Sequence, residues 1–570
     1  MKNDQNMSLP EEESSSDPPE VDSQDDRGQK RPLEEEDAEN DEEDKKDKEH
    51  ELPRNILIEW NGQNALVEID CRGDNDLENR ICIVGRGTIQ CLQGSLHILG
   101  YTMQKEENVD TGAEVILTSP FWSSWTTIQA TTPMVRFQVS SLRGTPSFRF
   151  ASASRRPTIL PASWITTADT IVSACQKEPA PQRDSLEDDG IFVHAKPQII
   201  FICGGKGVGK STFLRYLTNR LLSVSSHEEV AILDADVGQP ELVPPGILSC
   251  TIQKTPLLQP PYWNLTESRE NVASVFYGAV SSKDDPSRYI EAIQYLVQAY
   301  RDHLKSTLNP TPLLINMDGW IKGLGYEILT SLALSIAPTH VCQILGSSKA
   351  KTFDLQRTLS GRESTIYFLD ACTNLISMSC SIPSFTLRSL RLGAYFGPNL
   401  EDLWDTLDFT PAKQLQVGWI DDGCILAEYL AQERPYCVPF ETVQCSFLSP
   451  DHDDLMADEK RVLQAMNGAM VGLCVGNANN CLGLGLVRSI DWQSELLYVL
   501  TPVESSFLPQ VDMLVGGNLP LPLSFVLRGV HAESFPYQSM TNASVVTALG
   551  VDPMKSRNNI GRKGSMNGGN

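Results

Sequence analysis

The stretch FICGGKGVGKSTFLRYL, residues 201–217, decides the fold. Just upstream the chain is strand-like, QIIFIC at 198–203, and just downstream STFLRYLTNRLLSV at 211–224 has helical periodicity. Between them, Gly204 to Ser211 matches G-x-x-x-x-G-K-[ST], placed where its mechanism needs it, between a strand and a helix start. In that setting the loop Gly204, Gly205, Lys206, Gly207, Val208 and Gly209 turns backbone N–H groups toward a β-phosphate. Lys210 reaches β and γ oxygens, Ser211 ligands Mg²⁺, and Thr212 offers a second hydroxyl. The positive end of the helix completes an anion site.

The strand VAILDAD, residues 230–236, follows the helix, and 24 residues separate Lys210 from Asp234. Carboxylates at that strand end, Asp234 and Asp236, fall beside the phosphate loop, where one can organise a metal and the other accept a proton; turn formation is the plainer alternative. A second unit follows: the helix SRYIEAIQYLVQAYRDHL at 287–304, with Tyr289, Ile293, Leu296 and Tyr300 on its core face, then the strand TPLLINM at 311–317. The alternation predicts an α/β domain with a parallel sheet flanked by helices, over 197–407. After that second strand comes INMDGWIKGLG at 315–325, where Trp320 can stack a base or simply pack. In TLRSLRLGAYFG at 386–397, Arg388 and Arg391 stand three apart on a predicted helix, either as a phosphate clamp or as a solvated basic face.

Outside this centre the texture is β-rich. Short alternating runs such as NILIEWNG and VRFQVSS, with the helix PASWITTADTIVSAC, define an N-terminal domain over 54–176, followed by a polar linker at 177–196. A C-terminal β-rich domain is expected over 408–553, and the glycines of CLGLGLVRSID at 481–491 are read there as strand glycines, with a disordered tail at 554–570. The net charge of −26 is uneven: residues 1–50 hold 20 acidic and 7 basic side chains and almost no large apolar ones. A disordered acidic tail at 1–53 is predicted, because such a segment cannot bury enough surface to offset its ordering entropy. The 14 cysteines show no C-x-x-C pair or regular spacing, which fits a reducing compartment and neither a disulfide framework nor a zinc site. No run of about 18 apolar residues suggests a membrane span.

Taken in order, GGKGVGKSTF, LDADVGQPELVPPG, FYGAVSS, NMDGWIKGLGYEIL, PTHVCQI, RSLRLGAYF and LGLGLVRSID resemble the polynucleotide 5′-hydroxyl kinase family, specifically its nucleolar branch that processes pre-ribosomal RNA. The resemblance implies a P-loop kinase domain between two β-domains, ATP and Mg²⁺ as cofactors, and RNA with a 5′-hydroxyl end as acceptor. It also implies an endoribonuclease partner in removal of the second internal transcribed spacer, and a nuclear, nucleolar location. Carried over by position, Lys210 and Ser211 contact ATP and Mg²⁺, and Asp234 and Asp236 share the metal-organising and base roles. Trp320 is the clasp on the terminal base, with Gln239 and Gly319 among the substrate-binding positions, and Arg388 and Arg391 are the lid arginines. The family clasp reads T-x-G-W; here Met317 stands in place of the Thr, and Asp318 adds a negative charge. An ATP-binding scaffold of an RNA-cleavage complex is the competing class, and a metabolic kinase or GTPase leaves both β-domains unexplained.

Overall fold

The computed structural model describes residues 52–71, 79–105, 114–119, 126–142, 148–152, 160–176, 197–224, 228–265, 269–307, 310–346, 353–372, 384–397, 429–430, 432–448 and 459–521. The acidic tail, apart from its last two residues, the 177–196 linker and the C-terminal tail lie outside them.

Nine strands, from β1 (Ile56–Asn61) to β9 (Phe148–Ser152), form the first sheet around the long β3 (Arg80–Gln93), which pairs in turn with four others. Period-two burial along β2 (Asn64–Asp70) and β8 (Met134–Ser140) puts Val67, Ile69, Val135 and Phe137 on one face.

The central sheet has seven strands: β10 (Ile199–Gly204), β11 (Val230–Asp234), β12 (Ile247–Gln253), β13 (Glu270–Phe276), β14 (Leu313–Asn316), β15 (His340–Leu345) and β16 (Thr365–Asp370). Their order is β13-β12-β11-β14-β10-β15-β16. The five strands from β11 to β16 in that order run parallel, and β10, β11 and β14 are buried throughout, as expected where helices cover both faces. The expectation of a parallel sheet holds for those five. Strands β12 and β13 extend the edge antiparallel, because β12 returns directly from β11 without a crossover helix.

Helices α1 (Ala162–Cys175) and α2 (Lys210–Leu222) cover one face. After the short α3 (Pro261–Asn264), helices α4 (Pro286–Thr307) and α5 (Leu324–Ile336) cover the other. The N-terminal division at residue 176 groups α1 with the first sheet, whereas its packing joins it to the centre. Trp164 is fully buried edge-on to Phe213, and its indole Nε1 donates to the carbonyl of Asp370 at 2.8 Å. The first sheet in turn sits behind α2, where the Asn219 amide donates to the Leu99 carbonyl at 3.0 Å and accepts from the Leu257 N–H at 2.7 Å.

Helix α6 (Ser384–Phe396) leads away from the centre. The third sheet follows: β17 (Tyr436–Pro439), β18 (Gln444–Phe447), then helix α7 (Glu459–Met466), β19 (Met470–Val475), β20 (Asn477–Asp491), β21 (Leu496–Leu500) and β22 (Met513–Gly516). The glycines of CLGLGLVRSID lie within β20, as read from sequence. This sheet packs on β13: a Cβ at Gly472 would stand 2.4 Å from Cγ of Phe276, so only glycine lets the two layers meet there. Tyr262, Trp263, Phe276, Leu390 and Leu484 share that interior.

Candidate functional site

At the C-terminal ends of β10, β11 and β14, the edge where α/β sheets bind ligands, a cavity of about 630 Å³ opens. Its floor is the phosphate loop. Gly207 and Gly209 take φ of +71° and +107°, left-handed values that glycine adopts without a Cβ penalty, and Gly209 caps α2. Lys210 begins the helix and is only 7% exposed. Burial pulls its ammonium below the usual value, while Asp236 and then Asp318 pull it back up. Lys206, Gly207, Gly209, Lys210, Ser211 and Thr212 line the cavity. Gly204, Gly205 and Val208 do not: Gly204 ends the strand, Val208 is buried in the core, and the Gly205 carbonyl faces Lys210 Nζ at 3.5 Å.

The two strand-end carboxylates separate. Asp236 lines the cavity, and its Oδ1 accepts the N–H groups of Gly238 at 3.2 Å and Gln239 at 2.9 Å, a turn that sets Gln239 on the wall. Asp234 lies behind the wall with no exposed surface. Its carboxylate accepts the Glu241 N–H, the Asn316 amide at 3.1 Å and, more weakly, the Asp236 N–H at 3.4 Å. Burial pushes that carboxyl up to about 7, against the pull of the Glu241 N–H. Its place is therefore that of a strut under the loop 234–241, not of a group facing a ligand.

The two arginines separate likewise. Arg388 lines the cavity, its guanidinium held below the usual value by burial and raised by Asp236. Arg391 is 6% exposed; Nε donates to the Pro240 carbonyl at 2.9 Å and Nη1 to the Leu387 carbonyl at 3.3 Å. Three residues along a helix leave the two side chains about 60° apart around the axis and about 4.5 Å apart along it, so the shared face does not separate them; the carbonyls of Pro240 and Leu387 hold Arg391 in the core, while Arg388, nearer the start of α6, reaches the cavity. Arg391 and Arg215 both face Glu241, which is buried and paired with Arg215 Nε at 2.6 Å. Through these contacts α2 and α6 both fasten the loop at its far end, Pro240 and Glu241.

The fourth wall is the loop after β14. Gly319 and Trp320 line the cavity. A Cβ at Gly319 would stand 3.0 Å from both Cα and N of Lys206, so the loop lies directly on the phosphate loop. Met317 is buried in the core below, so its side chain is not presented to the cavity. Asp318 does line it; Ser282 Oγ donates to its Oδ2 and the Trp320 N–H to its Oδ1 at 3.1 Å. Burial pushes the Asp318 carboxyl up, and the Ser282 hydroxyl pulls it down.

Sequence reasoning passed over Ser282, Lys283 and Ser384. Lys283 Nζ stands 5.2 Å from the centre of the Trp320 ring, and Lys206 Nζ donates to Ser384 Oγ at the start of α6. The only signal for the first two was their place in or next to FYGAVSS; the contacts join segments far apart in the chain.

The chain is similar to known proteins. Residues 204–397 match the family model described as mRNA cleavage and polyadenylation factor CLP1 P-loop, and residues 431–522 match the NOL9-like, C-terminal domain. The chain is 34% identical over 342 residues to the polynucleotide 5′-hydroxyl-kinase NOL9 of Arabidopsis thaliana, covering 57% of this chain and 87% of that one. It is 31% identical over 368 residues to the Danio rerio protein of that name, covering 60% of this chain and 48% of the relative, so it spans about half of that longer protein. In a solved Clp1p–Pcf11p complex, one chain superposes with a TM-score of 0.49 at 12% identity, over 80% of this chain and 98% of that one.

Proposed function

The chain belongs to the NOL9 family of polynucleotide 5′-hydroxyl kinases, and from that premise we propose that it transfers the γ-phosphoryl group of ATP to the 5′-hydroxyl of an RNA end. The observation that carries this reading is one cavity lined by Lys210, Asp236, Arg388 and Trp320 together. Phosphoryl transfer asks mainly for positioning and charge stabilisation. Lys210 and Arg388 supply cations where negative charge develops. Asp236 is placed to take the hydroxyl proton as the O5′–P bond forms and the bond from Pγ to the ADP oxygen breaks. Lys206, Lys210, Lys283 and Arg388 outnumber Asp236 and Asp318 on its walls, so the cavity is cationic within an acidic chain.

The glycine turn and the start of α2 fit a nucleotide phosphate tail, and the Ser211 hydroxyl offers a hard oxygen donor that suits Mg²⁺. A bound Mg²⁺ would neutralise charge on the β- and γ-phosphates. Among the described residues no three His, Cys, Asp or Glu side chains gather as a metal cluster, in keeping with a cation held largely by phosphate and water. The same reading extends to pre-ribosomal RNA, removal of the second internal transcribed spacer, an endoribonuclease partner and a nucleolar location; what supports it is family membership. Among the described residues no helix is long and apolar enough to cross a membrane.

The test is transfer of labelled γ-phosphate from ATP to a 5′-hydroxyl RNA oligonucleotide, with Lys210→Ala alongside. The parent should label the RNA, and the folded variant should fall to background. Equal transfer by both would remove the phosphate-loop assignment; ATP binding without transfer by the parent, alone and with its nuclease partner, would make the chain a scaffold.

A further inference from the structure

Trp320 is half-buried and lines the cavity. A Cβ at Gly325, in the first turn of α5, would lie 2.4 Å from Trp320 Cγ and 2.5 Å from Cδ2, so the ring rests directly on that backbone. Over the ring stands the ammonium of Lys283, an exposed side chain from the loop between β13 and α4. That loop is tied to the Trp320 loop by the hydrogen bond from Ser282 to Asp318 one residue earlier, so Lys283 is held beside the ring. A base stacks at about the thickness of a π-system, and stacking is worth roughly 1–3 kcal/mol per base. The Lys283 side chain is exposed, and a cation–π contact at an exposed site is worth only about 0.5–1 kcal/mol. A base entering this face therefore displaces the ammonium and gains by doing so.

The displaced group stays close, because a lysine is a point charge on a flexible stem that can swing without its backbone moving. Resting on the kinase reading above, the acceptor presents its terminal base to Trp320 and its 5′-hydroxyl toward Lys210. The anion next to that base is then the phosphate on the 3′ side of the terminal nucleoside. We propose that Lys283 is an acceptor-selecting residue: it covers Trp320 in the free protein, yields the ring to the terminal base, and pairs with the first internucleotide phosphate. The site thereby favours a polynucleotide end over a free nucleoside, which has a base and a 5′-hydroxyl but no such phosphate.

The experiment uses the full chain and a short 5′-hydroxyl RNA with a 3′ fluorophore, its first linkage either a phosphodiester or an uncharged methylphosphonate. Affinity is read by fluorescence anisotropy over a range of salt. For the parent, the methylphosphonate should weaken binding about tenfold, the scale of a lost charge-assisted contact. Lys283→Met should weaken binding of the native RNA by a similar factor, be indifferent to the methylphosphonate, and lower the salt slope by about 0.7; Lys283→Arg should resemble the parent. Penalties that multiply in the combination, tighter binding by Lys283→Met, an equal loss of ATP affinity, or no RNA binding by the parent would each overturn the proposal. Turnover of the same RNA is measured in parallel. A parent that binds but does not transfer sinks the kinase reading while the affinity cycle still decides Lys283.

Discussion

Asp234 carries a proton equilibrium that reports on folding. Its carboxyl is pushed from 3.8 to about 7 by burial, so between those values the folded chain holds a proton that the unfolded chain releases. Stability from this group is complete below about pH 4 and is lost as the pH rises toward 7. Asp234→Asn leaves one donor of the loop 234–241 facing an amide nitrogen and should cost about 1–3 kcal/mol. That cost should shrink between pH 5 and pH 7.5, because only the parent loses stability over that interval. Urea midpoints of both proteins in metal-free buffer check it, and a gap that widens with pH would show the ionised form to be the favoured one. At this scale the sequence shows which residue types the strand end and the helix carry, and not which of them turns to the cavity. Asp234 and Asp236 sit on one strand end, Arg388 and Arg391 on one helix, and spacing alone cannot say which member of each pair turns to the cavity. That depends on Pro240, Glu241 and Arg215, contacts made across many residues of chain.

Among the elements, the strand, glycine turn and helix around Lys210 were legible because the signal is local: apolar run, glycines, apolar periodicity. The antiparallel edge was not, since the residues of ILSCTIQ and ENVASVF do not set strand direction, which depends on how the chain returns to them. The docking of α1 on the central sheet was hidden for a similar reason; a short amphipathic helix does not announce its partner. Where two loops touch, the fit is tight enough to test. At Gly319 a methyl group would meet Lys206 backbone atoms at 3.0 Å, and backbone cannot yield as a side-chain tip can. Gly319→Ala should lift the Trp320 loop from the phosphate loop and reduce kcat/KM about tenfold or more, since small misplacements weigh heavily on in-line transfer. The melting temperature should stay close to that of the parent. Unchanged kcat/KM would show that the loop's seat on Lys206 plays no part in catalysis.

For the whole molecule, the third sheet is part of the working body. Phe276, at the end of the strand that leads into the Lys283 loop, is fully buried between the central sheet and Gly472. Phe276→Ala should lower stability by about 3–5 kcal/mol, as large buried aromatics do when truncated, and denaturant unfolding measures it. A loss under about 1 kcal/mol would mean that the two sheets merely touch. The seat of α1 has a consequence in time. Trp164 stands behind the phosphate loop at Gly209 and hangs its indole on Asp370, 206 residues later in the chain. At about 5–20 residues per second, a nascent chain waits on the order of ten seconds or more between making the first and the second. For roughly the last three quarters of that wait the entire G-x-x-x-x-G-K-S segment is already translated, yet the apolar side of α1 lacks the strand that seats it. A ribosome stalled short of Asp370 thus leaves a phosphate loop without its backing and a naked tryptophan for chaperones to hold.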